Sequence, residues 1–171
     1  MIVSTLNGKI TKGIDPNIYK WTSKADQDYF FGYLKKNNLI VMGSKTYDIA
    51  RNVMQLNKGQ LRIVLTRNPE KYKSEEVPGQ LEFTSESPKD LVKRMFQKGY
   101  KKLLLPGGTN TNTSFLIAGL VDEILLTVEP KIFGLGKQLF LEKSLEASLK
   151  LLSFKKLNKQ GTLLLHYQIK K

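Results

Sequence analysis

The run Leu39-Ile40-Val41-Met42 narrows most what this chain can fold into. It is apolar at every position and stops at Gly43, so it lacks the polar alternation of a strand with one wet face. A strand of this kind is covered on both faces, which is the habit of parallel sheets built from βαβ crossovers. Leu61-Arg62-Ile63-Val64-Leu65-Thr66, ended by Asn68-Pro69, reads as a second such strand.

The rest of the chain supplies the crossovers. Met1 to Leu6 is a first strand closed by the turn signal Asn7-Gly8, and Lys9 to Trp21 has no sustained period and reads as a long irregular connection. From Ser23, Phe30, Phe31, Tyr33 and Leu34 recur at helical spacing, with an end near Asn37-Asn38. Ser44 to Arg51 reads as a short helix and Leu81 to Thr84 as a weaker strand. Ser87-Pro88-Lys89-Asp90 sets an N-cap, a proline and a first-turn acid ahead of Leu91, Val92, Met95 and Phe96, and Gly99 ends that helix. Lys102 to Leu105 is a strand running into Pro106-Gly107-Gly108, Asn112 to Gly119 a helix, and Glu123 to Val128 a strand. Leu149 to Leu157 and Thr162 to Ile169 form a hairpin. The pattern predicts one α/β domain over residues 1–171, with a three-layer arrangement in which helices flank a mostly parallel central sheet and a C-terminal antiparallel hairpin joins one edge.

Composition narrows the chemistry. The absence of Cys excludes disulfides, thiolate metal sites and cysteine nucleophiles, and with His166 as the single histidine no metal site is expected. The 28 Lys+Arg against 15 Asp+Glu give +13, a field that attracts anions. The lysines are spread from Lys9 to Lys171 with no basic stripe on a helix, so neither nucleic acid nor a membrane is the expected partner. The first residues carry neither a basic n-region nor a small-residue cleavage site, and a cytoplasmic protein is expected.

In open α/β sheets ligands gather beyond the carboxyl ends of the strands. Three features lie there. Pro106-Gly107-Gly108-Thr109-Asn110 joins a strand to a helix, where paired glycines admit a close ligand and the helix N-terminus offers N–H groups to a phosphate; a tight turn needing positive φ is the alternative. Ser44-Lys45-Thr46 and Thr66-Arg67 project from the same edge and suit a phosphorylated ligand, or are solvated loop charge. Asp26, after Trp21, is either a proton-exchanging carboxylate or the acid of a Ser23-x-x-Asp26 capping box. Trp21, Tyr29, Phe30 and Phe31 are core or a ligand platform.

Taken together these residues resemble the dihydrofolate reductase superfamily, which includes the reductase domain of riboflavin biosynthesis. Ser4-Thr5-Leu6-Asn7-Gly8-Lys9-Ile10 is similar to its first strand and active-site loop, Trp21 and Asp26 to its tryptophan and acid, and Phe30 to a substrate-stacking residue. Met42-Gly43-Ser44-Lys45-Thr46-Tyr47 and Leu65-Thr66-Arg67 resemble the two cofactor turns, and Gly107-Gly108 the glycine pair beneath the cofactor phosphates. Gly119-Leu120-Val121-Asp122-Glu123, Pro130, Gly134-x-Gly136 and Leu139-Phe140 are most like the riboflavin-type branch.

The resemblance implies a dihydrofolate reductase-like fold and an NADPH-dependent oxidoreductase. Asp26 and Trp21 would be catalytic, and Phe30, Thr127 and Arg62 would bind substrate. Ile10, Gly43, Ser44, Lys45, Thr46, Thr66, Arg67, Gly107, Gly108, Thr109 and Asn110 would hold NADPH. The implied reaction is hydride transfer to a pteridine, with dihydrofolate as the expected substrate and 5-amino-6-(5-phosphoribosylamino)uracil as the alternative. A non-catalytic nucleotide-binding protein is the reading from another class, and a homodimer is an admissible state. Four departures qualify the match. Lys20 replaces the usual proline, and Ser44 stands where arginine is common, leaving Lys45 and Arg67 for the ribose 2′-phosphate. Gln60 replaces the arginine that clamps a folate tail, with Arg62 two residues on, and the riboflavin branch's Asp-Pro-x-Leu-x-x-Arg segment is absent.

Overall fold

The computed structural model describes residues 1–170, and these form two compact units. One comprises residues 1–32 and 121–170, the other residues 33–120.

The second unit carries the buried runs. Strands β2 (Leu39–Gly43), β3 (Leu61–Leu65) and β4 (Leu81–Thr84) pair in parallel in that order. Leu39, Ile40, Val41, Ile63 and Val64 are at most 1% exposed, as two-sided burial requires. Helix α2 (Ser44–Ala50) starts directly after β2, and α3 (Pro88–Gln97) is capped by the Ser87 side chain, which accepts from Asp90 N. The expected strand at Lys102–Leu105 is reduced to one bridge: Leu104 exchanges two backbone hydrogen bonds with β2, at 2.9 and 3.0 Å. Helix α4 runs from Thr109 to Ile117, three residues earlier than the periodicity predicts, because polar Thr109, Asn110 and Thr111 form its first turn.

The first unit holds β1 (Ile2–Thr5), β5 (Glu123–Glu129), β6 (Leu149–Lys156) and β7 (Leu163–Ile169) in the order β1-β5-β7-β6. β1 and β5 are parallel, and the β6–β7 hairpin is antiparallel to β5, as the sequence predicts. The central sheet expected to be mostly parallel is therefore divided: three parallel strands in one sheet and a mixed four-stranded sheet in the other. Burial on β5 alternates, with Leu125, Thr127 and Glu129 on the buried face. That phase places a carboxylate and a hydroxyl inside.

The connection from Lys9 to Trp21 is irregular, with a 3₁₀ turn at Ile18–Lys20. It is tied to the 131–139 segment by Ile10 N to Lys137 O, Gly13 N to Leu135 O and Lys137 N to Thr11 Oγ1. Gly136 belongs at this seam: its φ is +151°, and a Cβ there would lie 2.1 Å from Thr11 O. Helix α1 (Lys24–Lys35) follows and carries Asp26 in its first turn.

Candidate functional site

The acid site lies within the first unit. Ser23 Oγ accepts the Asp26 amide at 3.2 Å, which is half of a capping box. In the other half the acid would accept the Ser23 amide, but that N–H donates to Glu129 Oε1 at 2.7 Å. The Asp26 carboxyl is thus relieved of capping, yet the residue is only 4% exposed. Burial pushes the carboxyl from its usual 3.8 up to about 6; the nearby Thr127 hydroxyl opposes the shift and the Glu129 charge adds to it.

Around Asp26 the buried polar groups are incompletely satisfied. Thr127 Oγ1 and Trp21 Nε1 are both inaccessible and complete no hydrogen bond of standard geometry among the described residues. Buried polar atoms are rarely left so, and an unsatisfied one costs roughly 1–3 kcal/mol. Trp21 is held in place by an edge contact with Phe133, centroids 5.3 Å apart, and by Lys131 Nζ donating to its carbonyl at 2.5 Å. A cleft of about 390 Å³ opens beside it, lined by Lys12, Asp15, Asn17, Lys20, Lys131 and Phe133. Phe30 is half-buried and meets Phe31 edge-on, while Phe31, 43% exposed, stacks on Tyr19. Of the four aromatic residues expected as core or platform only Trp21 is fully buried. Ile10 is buried in the loop that the 131–139 segment fastens.

The phosphate-type turns lie within the second unit. Gly43 and Gly108 are the N-cap residues of α2 and α4, and neither helix start has a side-chain cap. The start of a helix offers backbone N–H groups to an anion. The two starts also pack on each other: a Cβ on Gly43 would lie 2.7 Å from Thr111 Oγ1, and one on Gly108 3.3 Å from Thr46 Oγ1. Gly107, at φ +109°, is the glycine of the pair that needs the left-handed region; Gly108, at φ −80° and ψ −174°, does not. Ser44 and Thr46 are half-buried and Lys45 is exposed on α2, while Thr109 is buried and Asn110 exposed on α4. Gly43 pairs with Leu65 in the β2–β3 register, so Thr66 and exposed Arg67 follow at the same sheet edge. These residues fit a nucleotide's phosphates: two helix starts with glycine at the N-cap and no side-chain cap, threonine hydroxyls beside them, and two exposed cations.

Arg62 and Gln60 are placed differently. Both lie at the opposite end of β3 from Thr66. Gln60 Nε2 donates to Leu34 O at 2.9 Å and Asn37 O at 2.7 Å, a tie to the end of α1 rather than a ligand contact. Arg62 is 7% exposed, its Nη1 has no partner among the described residues, and burial lowers its pKa. The sequence reading missed Glu129 and Thr111. For Glu129 the signal was present, since it is in phase with Leu125 and Thr127 on a strand of period two.

The RibD C-terminal domain family matches residues 2–163. The uncharacterized protein YyaP of Bacillus subtilis is 26% identical over 137 residues, covering 72% of this chain and 70% of that protein. A pyrimidine reductase-like protein from Corynebacterium diphtheriae superposes with a TM-score of 0.73 at 18% identity, over 99% of this chain and 90% of its own. A diaminohydroxyphosphoribosylaminopyrimidine deaminase/5-amino-6-(5-phosphoribosylamino)uracil reductase from Thermotoga maritima superposes with 0.75 at 17% identity, over 99% of this chain and 55% of its own. Among the described residues no helix is long and apolar enough to cross a membrane, and no group of three or more His, Cys, Asp or Glu is arranged to hold a metal ion.

Proposed function

From the premise that the chain belongs to the RibD C-terminal domain family, a family of oxidoreductase domains, we propose that it is an NADPH-dependent reductase acting on a phosphoribosylamino-pyrimidine of the riboflavin-pathway type. The observation that carries an enzymatic reading is the buried, uncapped Asp26 between the unsatisfied Thr127 hydroxyl and Trp21 indole. A non-catalytic nucleotide-binding protein has no use for a buried acid that destabilises it.

NADPH, when bound, supplies the hydride. The starts of α2 and α4 would hold its phosphates, with Lys45 and Arg67 at the ribose 2′-phosphate and Ser44, Thr46, Thr66, Thr109 and Asn110 completing the cradle. The protein's own part concerns the substrate and its proton. A ribosylamine in its ring-opened form presents a C=N bond, and reduction needs a proton on the nitrogen. Asp26 is poised for this, because burial holds its proton to higher pH than an ordinary carboxyl. The Trp21 indole would donate at the ring, the Thr127 hydroxyl would donate or accept there, and Phe30 offers an apolar face.

Dihydrofolate is a second reading favoured by the same acid, since its reducible bond is also C=N and its amidine edge pairs with a carboxylate. Gln60, engaged with α1, offers nothing to a folate tail. The test is NADPH oxidation by the purified chain with each compound. Turnover of the phosphoribosylamino-pyrimidine is expected, and turnover of dihydrofolate alone would replace the proposal with the second reading. Silence with both, in protein that binds NADPH, would refute a reductase of either kind.

A further inference from the structure

We propose that Glu129 is the positioning residue of the acid site: from β5 it takes the helix cap that the sequence spacing assigns to Asp26, and its fixed negative charge keeps the site's proton on Asp26. The consequence for turnover rests on the proposed reductase; the proton assignment does not.

Glu129 is 2% exposed, and both its oxygens are engaged. Oε1 accepts the Ser23 amide at 2.7 Å, and Oε2 accepts the Thr162 hydroxyl at 2.9 Å. Asn158 fixes the direction of the second bond, because its Nδ2 donates into Thr162 Oγ1 at 2.8 Å and its Oδ1 accepts the Thr162 amide at 3.1 Å. Thr162 therefore has its own proton to give toward Glu129, and an amide can only donate. A carboxylate accepts from both donors as they stand, while a carboxylic acid would require the Thr162 proton to turn away to the longer contact with Ser23 Oγ. The Ser23 amide is also among the first N–H groups of α1, where the helix dipole favours negative charge.

Asp26 is in the contrary position. Its amide is satisfied by Ser23 Oγ, and its carboxyl has been displaced from the cap. The charged groups facing the cluster are Glu129 itself and Lys131, whose ammonium is occupied by the Trp21 carbonyl; on α1, Lys24 and Asp28 pair with each other on exposed positions. Two buried carboxyls in one site do not both ionise readily. The one held by an amide and a hydroxyl keeps the charge, and the other keeps the proton.

The test is a carboxyl-carbon NMR titration of the full chain, with and without Glu129→Gln. The glutamine can still accept from Ser23 N and can donate to Thr162, whose proton turns to Ser23 Oγ, 3.3 Å away, so the fold is expected to persist. In the parent protein the Asp26 carboxyl signal should titrate at higher pH than an ordinary aspartate. In Glu129→Gln the Asp26 midpoint should fall by about one pH unit, a roughly tenfold loss of protonated Asp26 at pH 7. Glu129→Asp, which keeps the charge, should leave the midpoint near the parent value. An unmoved midpoint in Glu129→Gln, or a parent in which Asp26 titrates as an ordinary aspartate, overturns the proposal. If the glutamine variant does not fold, the parent titration and the aspartate variant still decide. The pH profile of NADPH oxidation should shift to lower pH with the midpoint. A shifted midpoint in protein that reduces no substrate supports the role of Glu129 and removes the reductase reading instead.

Discussion

A Cβ on Gly43 would stand 2.7 Å from Thr111 Oγ1, so the start of α2 is closed against the first turn of α4. Gly43→Ala forces that hydroxyl aside in the cradle assigned to the cofactor phosphates. The expected cost is about 1–3 kcal/mol in thermal or denaturant unfolding, with weaker NADPH binding. Adding Thr111→Ala should restore much of the stability but little of the affinity, because the new Cβ still occupies the cradle. Calorimetric titration with NADPH separates the two effects, and full recovery of affinity in the double variant would confine Gly43 to packing.

Gly108 offers a graded comparison. Its Cβ would meet Thr46 Oγ1 at 3.3 Å, and its backbone is in a region open to any residue. Gly108→Val should therefore lower NADPH affinity while leaving the fold largely intact; normal affinity with lost stability would mark the pair as a structural turn.

Lys45 and Arg67 are the exposed cations at the carboxyl edge of β2 and β3. If they pair with a ribose 2′-phosphate, NADPH should bind more tightly than NADH. Each contact is worth ~1.5–3 kcal/mol at best and less in solvent, so the double alanine variant should lose a preference of about tenfold or more. Equal affinities for the two nucleotides in the parent would refute the assignment.

Thr127 is wholly buried with an unsatisfied hydroxyl, which makes Thr127→Val informative in two directions. Near pH 4, where Asp26 is protonated, removing a polar atom that completes no hydrogen bond of standard geometry should leave stability unchanged or raise it by about 1 kcal/mol. The hydroxyl also opposes the upward shift of Asp26, so the valine variant should titrate Asp26 at still higher pH, and it should turn over more slowly only through loss of the group proposed to orient the ring. A loss of stability greater than 1 kcal/mol would mean that the hydroxyl serves the fold.

The parts legible in the sequence were those with a local signature. Leu39 to Met42 announced a two-faced strand because burial removes any need for polar alternation, and Gly107-Gly108 announced a turn because few residues accept φ +109°. Ser23 and Asp26 announced a capping box, and the structure supplies only half of it. The other half comes from Glu129, more than 100 residues away, and no spacing rule links positions that strand pairing brings together. The Lys102–Leu105 segment misled for the same reason: its apolar residues satisfy strand propensity, while tertiary pairing grants it a single bridge. Thr109 to Thr111 was polar enough to read as loop, although those residues form the start of α4.

Asp26→Asn tests chemistry and stability at once. The folded carboxyl titrates near 6 against an ordinary 3.8, so the folded state binds the proton more tightly than the unfolded one. Stability from this group is therefore present at pH below about 4, declines as pH rises between about 4 and 6, and above that the ionised buried acid is a fixed penalty. The shift corresponds to about 2 kcal/mol after allowance for relaxation. Asparagine carries no charge at any pH, so the variant should melt higher than the parent at pH 7.5 and similarly to it near pH 4. Its NADPH oxidation should fall by ~10²–10⁴-fold at neutral pH, the range for a lost proton-transfer group. Melting curves at both pH values, beside turnover on the same preparations, give the answer. A variant that is less stable at pH 7.5 yet fully active would return Asp26 to the helix cap and withdraw it from the chemistry.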